Sequence, residues 1–279
     1  MSPESLELGR FLRARRNVCQ PEEHEIFRAQ GRRVPGLKRD EVARLAGISA
    51  EYYLRLEQGR SSRPSDQVLY ALARALHLDG ESQQYLFRLA SGVVHLPAVP
   101  VEESAPRIAR ILRPWAHAPA YVTDTNRDIV AATPLAAIFG HGALVPGANV
   151  AIYLFSDLMK STLGDDWESM TRGTLAGLRR DAAPFAPRLK EIVDELSDDS
   201  EFRRLWARYD VSGTEDAPVH MLVEGIGSLE IEVQNFGVRS MPGYLLTVLS
   251  APPKSAASEL FEHLAATLTP HDAMPATGG

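Results

Sequence analysis

The chain of 279 residues holds a single cysteine, Cys19, which excludes an intramolecular disulfide, a redox cysteine pair and a cysteine-based zinc knuckle. It also lacks an uninterrupted apolar run. Ile129 to Ser156 carries no Asp, Glu, Lys or Arg and is long enough to span a bilayer. Pro134, Gly140, Gly142, Pro146 and Gly147 break it, so it reads as a loop-rich core segment and no membrane partner is expected. Residues Met1 to Glu7 have neither the basic nor the apolar region of a secretory signal, and the expected location is the cytoplasm. The eight histidines show no HExxH or paired spacing, so no metal is expected. Gly225-Ile-Gly-Ser228 precedes a strand rather than a helix and lacks a third glycine, so neither a nucleophile elbow nor a dinucleotide fingerprint is present. Asp165-Asp166 and Asp198-Asp199 read as caps at helix starts. No cofactor, no catalytic residue and no enzyme activity are expected.

What is present describes a soluble, two-domain chain: 44% apolar and 24% charged residues, over a length that prefers two cores to one. Net charge is −6, unevenly spread. Residues 1–91 carry 15 Lys/Arg and 12 Asp/Glu, whereas residues 92–279 carry 15 and 24. A polyanionic partner would therefore meet the first third. Ser91 to Ala105 has two prolines and no helical period, which places a linker at 92–106 between a domain at 1–91 and a second at 107–268. Residues 269–279 are small and polar, as in a disordered tail.

Apolar spacing predicts five short helices in the first domain, which is all-α. In the second, Ala120–Thr125 and Asp128–Ala132 read as strands joined at Asn126-Arg127, and Ser228–Phe236 alternates Leu229, Ile231 and Val233 with polar residues. Pro218–Glu224 and Gly243–Ser250 are further strand-length runs. Helical stretches at Asp165–Arg180, Pro187–Leu196 and Ser200–Arg208 lie between, so the second domain is α+β.

The chemistry lies in Leu37 to Arg60, LKRDEVARLAGISAEYYLRLEQGR. Gly47 stands where a helix-turn-helix requires a left-handed residue, Ala43 permits close helix crossing, and Ser49 is an N-cap. The second helix then points Ala50, Glu51, Tyr52 and Arg55 outward and Tyr53 and Leu56 inward, a short polar face for base edges in a major groove. Arg55 suits guanine and Glu51 suits cytosine, each worth roughly 1 to 3 kcal/mol of discrimination in bidentate geometry. Glu57 opposes phosphate and reads as a partner within its own domain.

These residues, with RRVPG before them, resemble the Xre-type, lambda-repressor-like helix-turn-helix of the MmyB-like regulators over residues 7–91. The resemblance implies double-stranded DNA as partner and phosphate contacts at Arg39 and Arg60, with Lys38, Arg32, Arg33 and Arg63 as further basic candidates. Arg39, Ala50 and Glu51 stand where repressors of this type carry glutamines, so the operator sequence does not carry over. Pro119-Ala-Tyr-Val, Asp166-Trp167, Leu205-Trp206 and Gly227-Ser-Leu-Glu-Ile make residues 107–264 similar to the PAS-like ligand-binding domain of the same family. That implies a small apolar ligand of fatty-acid type, with Tyr121, Phe139, Phe155, Trp167, Trp206 and Tyr209 as candidate pocket residues. Ala132-Thr133-Pro134 and Tyr209 stand where members of the family often carry an Asn and a His, so a polar ligand anchor at those places does not carry over. Fold analogy implies a homodimer. The sequence leaves open a second domain that only dimerises or binds a protein partner, and more remotely an enzyme fused to a DNA-binding domain.

Overall fold

The computed structural model describes residues 3–26, 34–61, 63–92, 101–211, 218–268 and 276–277. By contact the chain forms two units, residues 1–94 with 200–212, and residues 95–199 with 213–279. The stretch 200–212, inside the range assigned from sequence to the second domain, thus groups with the first.

The first unit has the five expected helices: α1 (Pro3–Val18), α2 (Arg39–Ala46), α3 (Ala50–Glu57), α4 (Asp66–Ala75) and α5 (Gly80–Ser91). The last three start at side chains that accept a first-turn N–H: Ser49 from Tyr52, Ser65 from Val68 and Asp79 from Ser82. Their apolar stripes close on one core containing Phe11, Leu12, Leu37, Val42, Tyr53, Leu56, Leu72 and Leu86. Gly9 sets the approach of α1 to α3, because a Cβ there would overlap the Glu57 carbonyl.

The second unit opens with α6 (Val101–Leu112), so the later part of the expected linker is helical. Then come β1 (Ala120–Thr123), β2 (Ile129–Ala132), α7 (Pro134–Phe139), α8 (Val150–Leu154), α9 (Asp157–Leu163), α10 (Trp167–Asp181) and α11 (Pro187–Leu196). Next are α12 (Ser200–Trp206), which counts with the first unit, β3 (Pro218–Val223), β4 (Gly227–Gly237), β5 (Leu245–Ser250), α13 (Ala256–Thr267) and β6 (Ala276–Thr277). The sheet is antiparallel, in the order β3-β4-β5-β1-β2-β6, and the unit is α+β. In the segment read as a tail, Ala276 and Thr277 pair with Ala132 and Ala131; its other residues lie outside the described ones.

Alternation divides the sheet faces. Ala120, Val122, Ala131, Leu246 and Val248 pack with Ile108 and Leu112 of α6. Tyr121 stands opposite Thr247 and turns to the other face. The uncharged stretch Ile129–Ser156 is more ordered than its breakers suggest, since it supplies β2, α7 and α8. Pro134 occupies the first position of α7, where a missing N–H costs nothing, and Thr133 caps that helix by accepting from Ala136 at 3.2 Å. Among the described residues no helix is long and apolar enough to cross a membrane.

Candidate nucleic-acid interface and second-unit interior

The α2–turn–α3 motif is built from short-range rules. Glu41 accepts the Lys38 backbone N–H at 2.6 Å, fixing the start of α2. Gly47 ends it at φ 66°, and Ile48 N–H returns to the Ala43 carbonyl at 2.9 Å. Ser49 then caps α3, burying Tyr53 and Leu56 while Ala50, Glu51 and Arg55 are exposed and Tyr52 is half-buried against the core. The four expected base-reading residues therefore do not stand alike. Ala50, Glu51 and Arg55 are open to a partner, and Tyr52 serves partly as packing. Arg55 lies 3.8 Å from Glu51 and 5.9 Å from the Tyr52 ring centre. In water these contacts are weak, so base edges can replace them.

Behind this face, Glu57 is fully buried and gathers three guanidinium groups. Arg16 Nε donates at 2.6 Å, Arg39 Nε donates at 2.7 Å, and Arg13 Nε lies at 3.9 Å. Arg16 is buried and also donates to the Leu37 carbonyl at 2.9 Å, tying α1 to the residue before α2. Burial alone would raise the Glu57 carboxyl, but hydrogen bonds from Arg16 and Arg39 carry it below the usual carboxylate range. Arg13 and Arg39 remain 52% and 46% exposed, so the cluster presents surplus positive charge to solvent. Lys38, Arg60 and Arg63 are exposed, and Arg32 and Arg33 lie outside the described residues. Arg13 and Arg16 were not picked out from sequence, and only their one-turn spacing on α1 signals a common face.

A small open cleft of about 200 Å³ lies in this unit, lined by Ser5, Leu8, Leu56, Gly59, Arg63 and Leu89 among others. It falls below the roughly 300 to 1,000 Å³ typical of small-molecule sites.

In the second unit, four of the six candidate pocket residues are buried: Tyr121 on β1, Phe139 on α7, Phe155 after α8 and Trp167 at the start of α10. Of these, Phe155 meets Trp167 edge to face at 5.4 Å, and Phe139 meets Phe261 of α13 edge to face at 5.2 Å. Trp167 Nε1 donates to the Leu154 carbonyl at 2.6 Å, and burial pushes the Tyr121 phenol up to about 12. Thr247 donates to Asn235 at 2.9 Å on the face that Tyr121 shares, which gives this apolar interior a polar row. The other two candidates sit elsewhere: Trp206 stacks on Phe202 within segment 200–212, and Tyr209 packs against the helical core of the first unit. Helical period cannot say which of two cores an aromatic side chain fills.

Ion pairs close the second unit's turns. Arg127, nearly fully buried, donates to Asp181 at 2.5 Å, and Arg188 forks onto Asp128 at 2.6 and 2.7 Å. Asp166 does not cap α10 with its side chain as expected. Its carboxylate accepts the His220 backbone N–H at 2.7 Å and so occupies a polar group of β3, an edge strand of the sheet. Thr133 Oγ1 donates to the Ala118 carbonyl at 2.9 Å and accepts from Ala120 N–H at 3.0 Å. Among the described residues no group of three His, Cys, Asp or Glu side chains is arranged to hold a metal ion.

Comparison with known proteins agrees with this division of labour. Residues 7–86 match a helix-turn-helix domain family, and residues 105–264 match the MmyB-like transcription regulator ligand binding domain. No curated protein matches. The second match spans more than half of the chain, so the chain belongs to the MmyB-like transcription regulators, DNA-binding proteins with a ligand-binding domain.

Proposed function

We propose that the protein is a cytoplasmic, sequence-specific regulator that binds double-stranded DNA as a homodimer and does no catalysis. The observation that carries this reading is the exposed Ala50-Glu51-Arg55 face of α3 beside half-exposed Arg13 and Arg39, which hold more positive charge than Glu57 neutralises. Glu51 and Arg55 read base edges, with Ala50 and the rim of Tyr52 completing the face. Lys38, Arg39 and Arg60 contact phosphate, as do Arg32 and Arg33 ahead of them in the chain. The second unit takes a small apolar ligand of fatty-acid type among Tyr121, Phe139, Phe155 and Trp167, and occupancy resets the spacing of two recognition helices on half-sites about one helical turn apart.

The test is titration of DNA from upstream of the protein's own gene against random duplex at about 150 mM salt, where a specificity ratio near or above a thousand is expected. Equal affinity for random duplexes and for a genome-wide selected pool would overturn sequence-specific reading. Repeating the titration with palmitate tests the sensor, and an unchanged ratio counts against it. A second reading, in which this unit only dimerises or binds a protein partner, draws on the exposed apolar side chains Leu222 and Ile226 of the β3–β4 hairpin. It requires that their replacement by Ser abolish self-association or partner binding.

A further inference from the structure

We propose that the interior of the second unit receives a ligand whose polar end is uncharged and is held by the hydroxyls of Thr123 and Thr171. The inference rests on the apolar-ligand reading above and adds to it the chemistry of the end group. Thr123 and Thr171 are each 1% exposed, and the hydroxyl oxygen of each is buried with no hydrogen-bond partner. A hydroxyl that gives up water without gaining a protein partner is costly, so the two call for a use. One lies on the floor and one on the roof of the same interior. Thr123 shares with Tyr121 the face of β1 turned away from α6, by strand alternation. Thr171 follows Trp167 by one turn of α10 and precedes Leu175 by another, which sets it in the buried stripe of that helix. Trp167 reaches the Leu154 carbonyl of α8, and the neighbouring Tyr153 lies close enough to Tyr121 to act on its phenol through charge.

Charge decides the kind of end group. The cations that reach this interior are already matched: Arg127 donates to Asp181 at 2.5 Å, and Lys160, 5.6 Å from the Trp167 ring centre, pairs with Asp199 at 2.5 Å. Arg179, the other buried arginine among the described residues of this unit, has partners of its own. A carboxylate brought beside Thr123 would meet Asp124, the next residue, whose carboxyl is pushed above its ordinary range by burial and then by Asp128. That end of β1 is short of positive charge, and a second carboxylate would leave water with nothing to replace it. An alcohol carries no such penalty. It gives one hydrogen bond and takes another, which is what two threonine hydroxyls can exchange with it. A long-chain alcohol is therefore the simplest ligand of the class this interior fits.

The test gives one hydrocarbon chain two different ends. 1-Dodecanol and laurate are titrated into the full-length protein at about pH 7.5, where the carboxylate is ionised, and binding is read by tryptophan fluorescence and thermal melting. 1-Dodecanol should bind at least ~10-fold more tightly than laurate. Thr123→Val combined with Thr171→Val should cut that preference to below ~2-fold, whereas Thr123→Ser combined with Thr171→Ser should keep it. Because neither hydroxyl has a partner in the unliganded protein, each single valine variant should melt no lower than wild type. A lower melting temperature would show a hydroxyl that holds the fold, and its part in the ligand site would be refuted. Laurate binding as tightly as the alcohol, or more so, would overturn the uncharged end while the apolar-ligand reading stood. Binding of neither would remove both.

Discussion

The two units use arginine and carboxylate in opposite ways. At Glu57 one buried carboxylate serves Arg16 and Arg39 with Arg13 nearby, so cations outnumber anions and two of them face solvent. In the second unit the charges balance: Arg188 pairs with both Asp128 and Glu191 while Arg127 and Arg180 share Asp181, three cations to three carboxylates. A buried pair is no reliable source of stability, because desolvation offsets the Coulomb attraction. Its use depends on what is left over. In the first unit the remainder is positive charge aimed outward, and in the second it is a fixed turn geometry around β1 and β2.

Removing each anion separates the two uses. Glu57→Ala strands Arg16 without its partner and should cost about 3 to 5 kcal/mol in denaturant unfolding, together with loss of DNA affinity as Arg39 loses its support. Asp181→Ala should cost a similar or smaller amount, since Arg180 leaves with solvent access, and DNA affinity per folded molecule should not change. Parallel loss of DNA affinity in both would collapse the contrast.

Acid provides a graded version. Burial works to raise both Glu57 and Asp181, yet hydrogen bonds and charge from their arginines hold both below ordinary carboxylate values. A depressed folded-state value means stability present above the unfolded value, near pH 4, and lost as pH falls through the folded one. Wild-type unfolding free energy should decline below about pH 4, and Glu57→Gln should flatten part of that decline. A variant curve parallel to wild type would deny Glu57 the role.

Smaller effects sharpen the DNA face itself. Arg55→Ala should lose roughly 1 to 3 kcal/mol of discrimination at one base position, read by competition among single-substituted operators. Arg39→Ala should weaken all sequences alike and reduce the salt slope by about 0.9. The least effect should come from His24 and His77, whose rings lie 3.3 Å apart between nitrogens. Burial and then His77 lower His24, so the folded protein binds fewer protons than the unfolded chain and loses a little stability as pH falls below about 6.5. Replacing His77 with Asn should reduce that slope in thermal melts between pH 7 and 5, leaving the part due to burial.

Legibility in the sequence followed the range of the interactions. The helix-turn-helix could be read because Gly47, Ser49 and the Tyr53/Leu56 stripe act within a few residues of themselves. The strands at Ala120, Ile129, Pro218, Gly227 and Leu245 were within reach for the same reason, since alternation and strand-length apolar runs bounded by turn residues are both local signals. The Glu57 cluster was half legible: its charge ruled out phosphate, but the guanidinium of Arg16 arrives from 41 residues away. Asp166 was misread as a cap because the backbone it serves, at His220, is 54 residues on. The helix starting at Ser200 was legible, whereas the packing of Tyr209 on the first cluster was not, because amphipathic period marks a buried face without naming what buries it.

The close crossing at Gly9 has a practical meaning for anyone wishing to retarget this regulator. With the backbone of α1 pressed on α3, the recognition helix keeps its pose whatever its outward side chains are. Positions 50, 51 and 55 can then be randomised together in a selection library, because none of them is needed to hold the scaffold, while position 9 must stay glycine for the library to fold.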